Sequence, residues 1–197
     1  CLDFAHPEVR QERLNIIEEV CDRYGADGIE IDDYVRVFFK PEEIEKNTPV
    51  LTQFMRDVQA LLKRIGEKRG ETPALWARVH PREDANLSVG MDVRTWVKEG
   101  LIDLLAAKNF IWFEQDLPVT EWSTLVDGSD VQFYAGFEHG DTLQTFRAGA
   151  AKYYRDGARG MYIYNFWSFD LPYNALGRQV LTELAGPQLL EGQDKHY

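Results

Sequence analysis

Cysteine is nearly missing from this chain. Two in 197 residues, Cys1 and Cys21, give no disulfide framework, and no Cys/His spacing suits zinc, so no metal site is expected. Cys21 falls in a helical pattern and is expected to be a small buried apolar residue. No apolar run approaches the roughly 20 residues that span a bilayer. Basic residues are also in short supply. The 22 Lys+Arg against 33 Asp+Glu leave a net charge of −11, which argues against nucleic acid and against an anionic membrane surface. No GxGxxG or P-loop follows any apolar run, so a nucleotide-binding fold loses support and no cofactor is expected. The opening CLDFAHPEVR has neither an initiator Met nor a charged leader, and reads as if continuing from something longer.

The remaining composition is ordinary for a globular protein: 44% hydrophobic and 28% charged, with aromatics high at 13%. One pattern repeats along it, an amphipathic helix, a short apolar strand and a polar loop. The first helix is expected from Pro7 to Tyr24, with Val9, Leu14, Ile17, Val20, Cys21 and Tyr24 on one face and Gly25 ending it. A second is expected to start at Thr48-Pro49, a cap residue followed by proline. Asp92 is expected to cap a short helix ending at Gly100, and another spans Pro118–Leu125. Asp141 is expected to cap the next, and a last helix covers Leu176–Leu184.

Strands are expected at Gly28–Asp32, Ala74–Val79, Leu101–Ala106, Val131–Phe137 and Gly160–Phe166. After a longer first interval they recur at about the 30-residue period of a βαβ repeat, which implies parallel pairing. The expected fold class is α/β: the C-terminal five βα units of a (β/α)8 TIM barrel, over residues 1–186, with 187–197 leading out of it. A five-stranded open sheet is the structural alternative.

Barrel sites form at the C-terminal ends of strands, where side chains alternate inward and outward. In GIEIDD, apolar Ile29 and Ile31 take one phase, which turns Glu30 and Asp32 inward with Asp32 nearer the mouth. Two inward carboxylates on one strand are hard to explain as packing, because buried charges cost several kcal/mol unless paired. The next strand puts Trp76, Arg78 and His80 on one phase. Arg78 is a candidate partner for Glu30 or Asp32, and His80 could meet a sugar hydroxyl. Asp116 lies at another strand–helix junction, where capping the following helix competes with acid chemistry. In VQFYAGFEHG, Gln132, Tyr134, Gly136 and Glu138 share the inward phase. Asn165 and Trp167 close the fifth strand, offering a polar contact and an aromatic face. Two carboxylates across one mouth is the arrangement that cleaves glycosidic bonds. A non-catalytic carbohydrate-binding barrel is the alternative, and a metal-dependent barrel using Glu30, Asp32 and Asp33 ranks last.

The runs DFAHPEVR, YGADGIEIDD, ARVH, GMDVRTWVKEGLIDLL and DLPVTEW resemble the family-ten-like glycosyl hydrolases of bacteria over nearly the whole chain. The resemblance implies carbohydrate processing and an exported, secreted or periplasmic protein. It also implies three further barrel strands, ahead of DFAHPEVR or on a complementing chain. Glycosidase barrels with carboxylates after the fourth and seventh strands would use Asp32 and Glu138 here. Those using the fourth and sixth would use Asp32 and Asp116. The Asn-Glu pair common on the fourth strand of related barrels is replaced here by Glu30 and Asp32.

Overall fold

The computed structural model describes residues 2–32, 38–108, 116–137, 142–164, 166 and 175–196, with the backbone alone at 175 and 176. It is an α/β chain whose five strands form one parallel sheet in the order β1-β2-β3-β4-β5. Two compact units divide the chain, residues 1–105 with 128–131, and residues 106–127 with 132–197.

In the first unit, helix α1 (Pro7–Glu18) starts with proline at its first position and passes into a π-helical turn at Glu19–Arg23. The wider turn changes the angular step per residue. Cys21 is therefore buried as expected, whereas Tyr24, expected on the buried face, is 66% exposed and donates its hydroxyl to Glu19. Burial pushes the Cys21 thiol above its ordinary pKa. Arg69 ties this turn to the first strand, donating to the carbonyls of Cys21 (3.0 Å), Ala26 (2.7 Å) and Gly25 (3.2 Å).

Strand β1 (Gly28–Asp32) pairs in parallel with β2 (Ala74–Val79), setting Glu30 beside Trp76 and Asp32 beside Arg78. Between them lies α2 (Ile44–Arg69), which begins earlier than its sequence suggests. Pro49 sits inside the helix, while the proline-first start belongs to Pro41, at the head of a short 3-10 turn (Pro41–Glu43). The Thr48 hydroxyl donates to the Ile44 carbonyl rather than capping a helix start. An interior proline costs about 3 kcal/mol. Opposing that cost is a fully buried face of Leu51, Met55, Val58 and Ile65.

After α3 (Glu83–Leu87) comes α4 (Val93–Lys98), capped as expected by Asp92, which accepts from the Thr95 N–H. Strand β3 (Leu104–Ala107) starts three residues later than expected. Leu101 and Ile102 are buried, but the Leu101 N–H closes the end of α4 on the Trp96 carbonyl. Asp103 then takes over the pairing with β2. Its N–H donates to the Leu75 carbonyl (2.8 Å), and its carboxylate accepts from the Leu75 N–H (2.6 Å).

In the second unit, α5 (Val119–Val126) precedes β4 (Gln132–Phe137), which pairs in parallel with β5 (Gly160–Ile163). Phe133 stacks on Trp122 of α5. Phe137 packs against Phe146 and Tyr153 of α6 (Leu143–Arg155). This phase of β4 therefore faces the helices, and the other phase, Gln132, Tyr134 and Gly136, faces away from them. On that second face the Tyr134 ring covers Gly160, where a Cβ would come within 2.7 Å of it.

Helix α6 is capped by Thr142, which accepts from the Thr145 N–H, and not by Asp141, which lies outside the described residues. β5 is shorter than expected, although the Tyr164 N–H still donates to the Phe137 carbonyl. The last helix is α7 (Ala175–Glu183), followed by a 3-10 turn (Pro187–Leu190). Leu190 is buried, and the tail lies along α6 through His196 N–H to the Gln144 carbonyl and Arg147 to the Asp194 carbonyl.

Candidate active site

Alternation along β2 buries Leu75, Ala77 and Val79, which leaves Trp76, Arg78 and His80 on the opposite phase, as expected. Parallel register then brings Arg78 next to Asp32. The Arg78 guanidinium donates to a single carboxylate oxygen of Asp32, Oδ1, through Nε at 2.7 Å and also through Nη2. Glu30 Oε1 lies 4.0 Å from Arg78 Nε, within ion-pair range. The exposures are unequal: 3% for the Arg78 side chain, against 26% for Glu30 and 32% for Asp32. Among the described residues, Asp32 Oδ2 accepts no hydrogen bond. The cation is thus sunk into the protein while the carboxylate it holds remains open on one oxygen, at the C-terminal end of β1.

His80 follows directly on β2, half-buried. Its placement depends on Asn86, a residue that sequence reasoning passed over. Asn86 is completely buried. Its Oδ1 accepts from the His80 N–H (2.9 Å), and its Nδ2 donates to the carbonyls of His80 (3.1 Å) and Arg82 (2.8 Å). One amide side chain thus closes the loop between β2 and α3. No periodicity could have shown this, because the bonds are set by loop closure.

In the second unit, Asp116 is exposed in the turn before α5. The helix cap expected of it falls instead at Pro118, with no side-chain bond, because the helix begins one residue after that proline. Lys108 is the second residue that the sequence reading missed. It directly follows β3 and is buried, with Nζ 4.3 Å from the centroid of the Tyr164 ring. The signal for it was present in LLAAK, a basic residue in phase with buried Leu104 and Ala106. Glu138, Asn165 and Trp167 lie outside the described residues, as do Asp33 and Glu114. Among the described residues no three His, Cys, Asp or Glu side chains gather to hold a metal ion, and no helix is long and apolar enough to cross a membrane.

The chain matches no family model and no curated protein. Solved structures do resemble it. A 3-dehydroquinate dehydratase from Geobacillus kaustophilus HTA426 aligns with a TM-score of 0.51 at 15% identity, over 78% of this chain and 56% of that one. The C-terminal domain of a "putative chitinase" from Desulfitobacterium hafniense DCB-2 aligns with a TM-score of 0.46 at 16% identity, over 68% of this chain and 41% of that one. The chain therefore spans about half the length, or less, of the structures it matches. The first likeness, to a TIM barrel, bears on the fold alone. The class defined by the sheet and that likeness is an α/β protein with a TIM-barrel-like parallel sheet.

Proposed function

We propose that this chain is the C-terminal five βα units of a secreted or periplasmic (β/α)8 glycoside hydrolase that cleaves a poly- or oligosaccharide. Residues 1–186 would form its catalytic part. Three further βα units, on the same polypeptide or a complementing chain, would complete the barrel. The observation that supports this reading best is the unequal burial of the Arg78–Asp32 pair. A buried guanidinium costs several kcal/mol unless it is paired, and here it is paired with a carboxylate that itself stays in contact with water. The carboxylate is aimed by its Oδ1 while Oδ2 stays available, as a nucleophile or a stabiliser of an oxocarbenium-like centre requires.

In this scheme Asp32 is the nucleophile or charge stabiliser, and Arg78 and Glu30 orient it. Glu138 is the acid/base, with Asp116 as its rival. His80, Asn165 and Trp167 contact sugar, the last by stacking its ring on a pyranose face. General acid–base catalysis contributes about 10²–10⁴-fold in rate. Hydrolysis of a glycan panel by the full-length protein is the test. Asp32→Asn and Glu138→Gln should each lower turnover by at least about 10²-fold with folding unchanged. Wild-type turnover in both variants would overturn the assignment. Glycan affinity without turnover in the parent protein would make it a carbohydrate-binding barrel instead.

A further inference from the structure

A groove of about 500 Å³ opens between the start of α2 and the end of α3, and none of its lining residues belongs to the scheme above. Its walls are apolar. Pro41 comes from the 3-10 turn, Ile44 and Pro49 from α2, and Leu87 from α3, where it is 46% exposed. Pockets for small organic molecules run from about 300 to 1,000 Å³.

The polar side chains in the groove are all acceptors. The Thr48 hydroxyl gives its proton to the Ile44 carbonyl (3.0 Å), and the Ser88 hydroxyl gives its own to the Ala85 carbonyl (2.7 Å). Each has only lone pairs left to offer. The Glu45 carboxylate is exposed, and among the described residues it forms no hydrogen bond or ion pair. The main chain adds a fourth acceptor. In an α-helix the Glu45 carbonyl would accept from the N–H of residue 49, but that residue is proline and has none. The proline that costs α2 stability therefore frees one carbonyl in the wall of the groove.

Acceptors set among apolar walls match one kind of ligand, a donor-only head on an apolar stem. A primary ammonium carries three N–H donors and no acceptor. A carboxylate head would be repelled by Glu45. The net charge of −11 also draws cations toward the molecule and keeps anions away.

We propose that this groove is a binding site for alkylammonium ligands, compounds in which an apolar chain ends in a protonated primary amine. The chain lies against Pro41, Ile44, Pro49 and Leu87, and the ammonium donates to the carboxylate and carbonyl of Glu45. The site goes beyond the carbohydrate reading and does not depend on it.

The test is isothermal titration of the full-length protein with n-hexylammonium, n-hexanol and hexanoate at pH 7, in about 0.15 M salt to screen long-range attraction. Hexylammonium should bind about 10-fold tighter than hexanol, with hexanoate weaker than both. Octylammonium should exceed butylammonium by about 10-fold or more, through its extra methylenes. Glu45→Gln should bring hexylammonium to within about 2-fold of hexanol. Leu87→Ser should weaken both alike. Pro49→Ala gives the Glu45 carbonyl its helical donor, so it should weaken hexylammonium about 3-fold while raising the urea midpoint of unfolding. A proline with a merely structural role would show the change in stability alone. Thermal unfolding of Glu45→Gln and Leu87→Ser guards against loss of fold. Equal affinity for hexylammonium and hexanol, an affinity that does not grow with chain length, or an ammonium preference that survives in Glu45→Gln overturns the proposal. So does unchanged hexylammonium binding in Pro49→Ala.

Discussion

Arg147 and Glu183 show how a single pair can govern a unit. The guanidinium donates to both carboxylate oxygens, through Nε at 2.6 Å and Nη2 at 2.8 Å, and both residues are buried. The Gln179 amide adds a third bond to Glu183 at 2.7 Å. The hydrogen bond from Arg147 holds the Glu183 carboxyl below its ordinary pKa. A carboxyl whose folded pKa is depressed contributes stability that is present above its unfolded pKa and is lost as pH falls through the folded one. Arg147→Met should therefore cost about 3–5 kcal/mol at pH 7, because it strands a buried carboxylate. That cost should shrink below pH 4.5, the ordinary pKa of the group. Urea unfolding at pH 7 and pH 4 measures both, and replacing Glu183 by leucine in the same variant should recover most of the loss at pH 7.

At the same scale, Asp32, Glu30 and Arg78 were legible because period-two alternation is a local property, and parallel register then did what spacing could not, bringing positions 32 and 78 side by side. The role of Asn86 was hidden, since an amide that bonds three backbone groups looks in sequence like any loop asparagine. Lys108 was legible only in hindsight, from its phase with Leu104 and Ala106.

Among the elements, the loop after β2 depends on a single side chain. Asn86→Ala leaves the His80 N–H without its acceptor and deprives two carbonyls of a donor. Each buried group so abandoned costs about 1–3 kcal/mol. The expected result is a loss in that range, or somewhat above it, by chemical denaturation, together with faster amide exchange at His80 than at Leu75. Exchange unchanged at His80 would show that the loop is held elsewhere. Proline marks the N-terminus of α2 through Pro41 and not through Pro49, and the apolar run Leu101–Ala106 divides because Leu101 serves the end of α4 while Asp103 serves β2. Only in the second case did a tertiary bond, Asp103 to Leu75, claim a residue whose local signal pointed elsewhere.

For the whole molecule, the alternating α and β pattern and the parallel sheet were legible, because a helix between every two strands leaves little choice but parallel pairing. Closure into a barrel was not, since pairing across long separations leaves no local pattern. Among the described residues, β1 and β5 each have a single neighbour in the strand order. Open strand edges invite pairing with other chains. The 197-residue chain alone should therefore associate as its concentration rises, by light scattering after size exclusion. A monomer that persists at high concentration and unfolds sharply at high temperature would contradict this.

Two glycines on the same face of β4 and β5 bind the future of this sequence to its present. Gly136 lies under Lys108, and Gly160 lies under Tyr134, each pressed too closely to accept a methyl group. A methyl on Gly160 would strike the far end of the Tyr134 ring, which a shorter side chain would vacate, whereas one on Gly136 would strike the Lys108 Cβ and the Ala107 carbonyl, which shortening the lysine does not remove. In an evolving lineage Gly160 can change only after Tyr134 does, while Gly136 stays fixed whatever long side chain stands at 108.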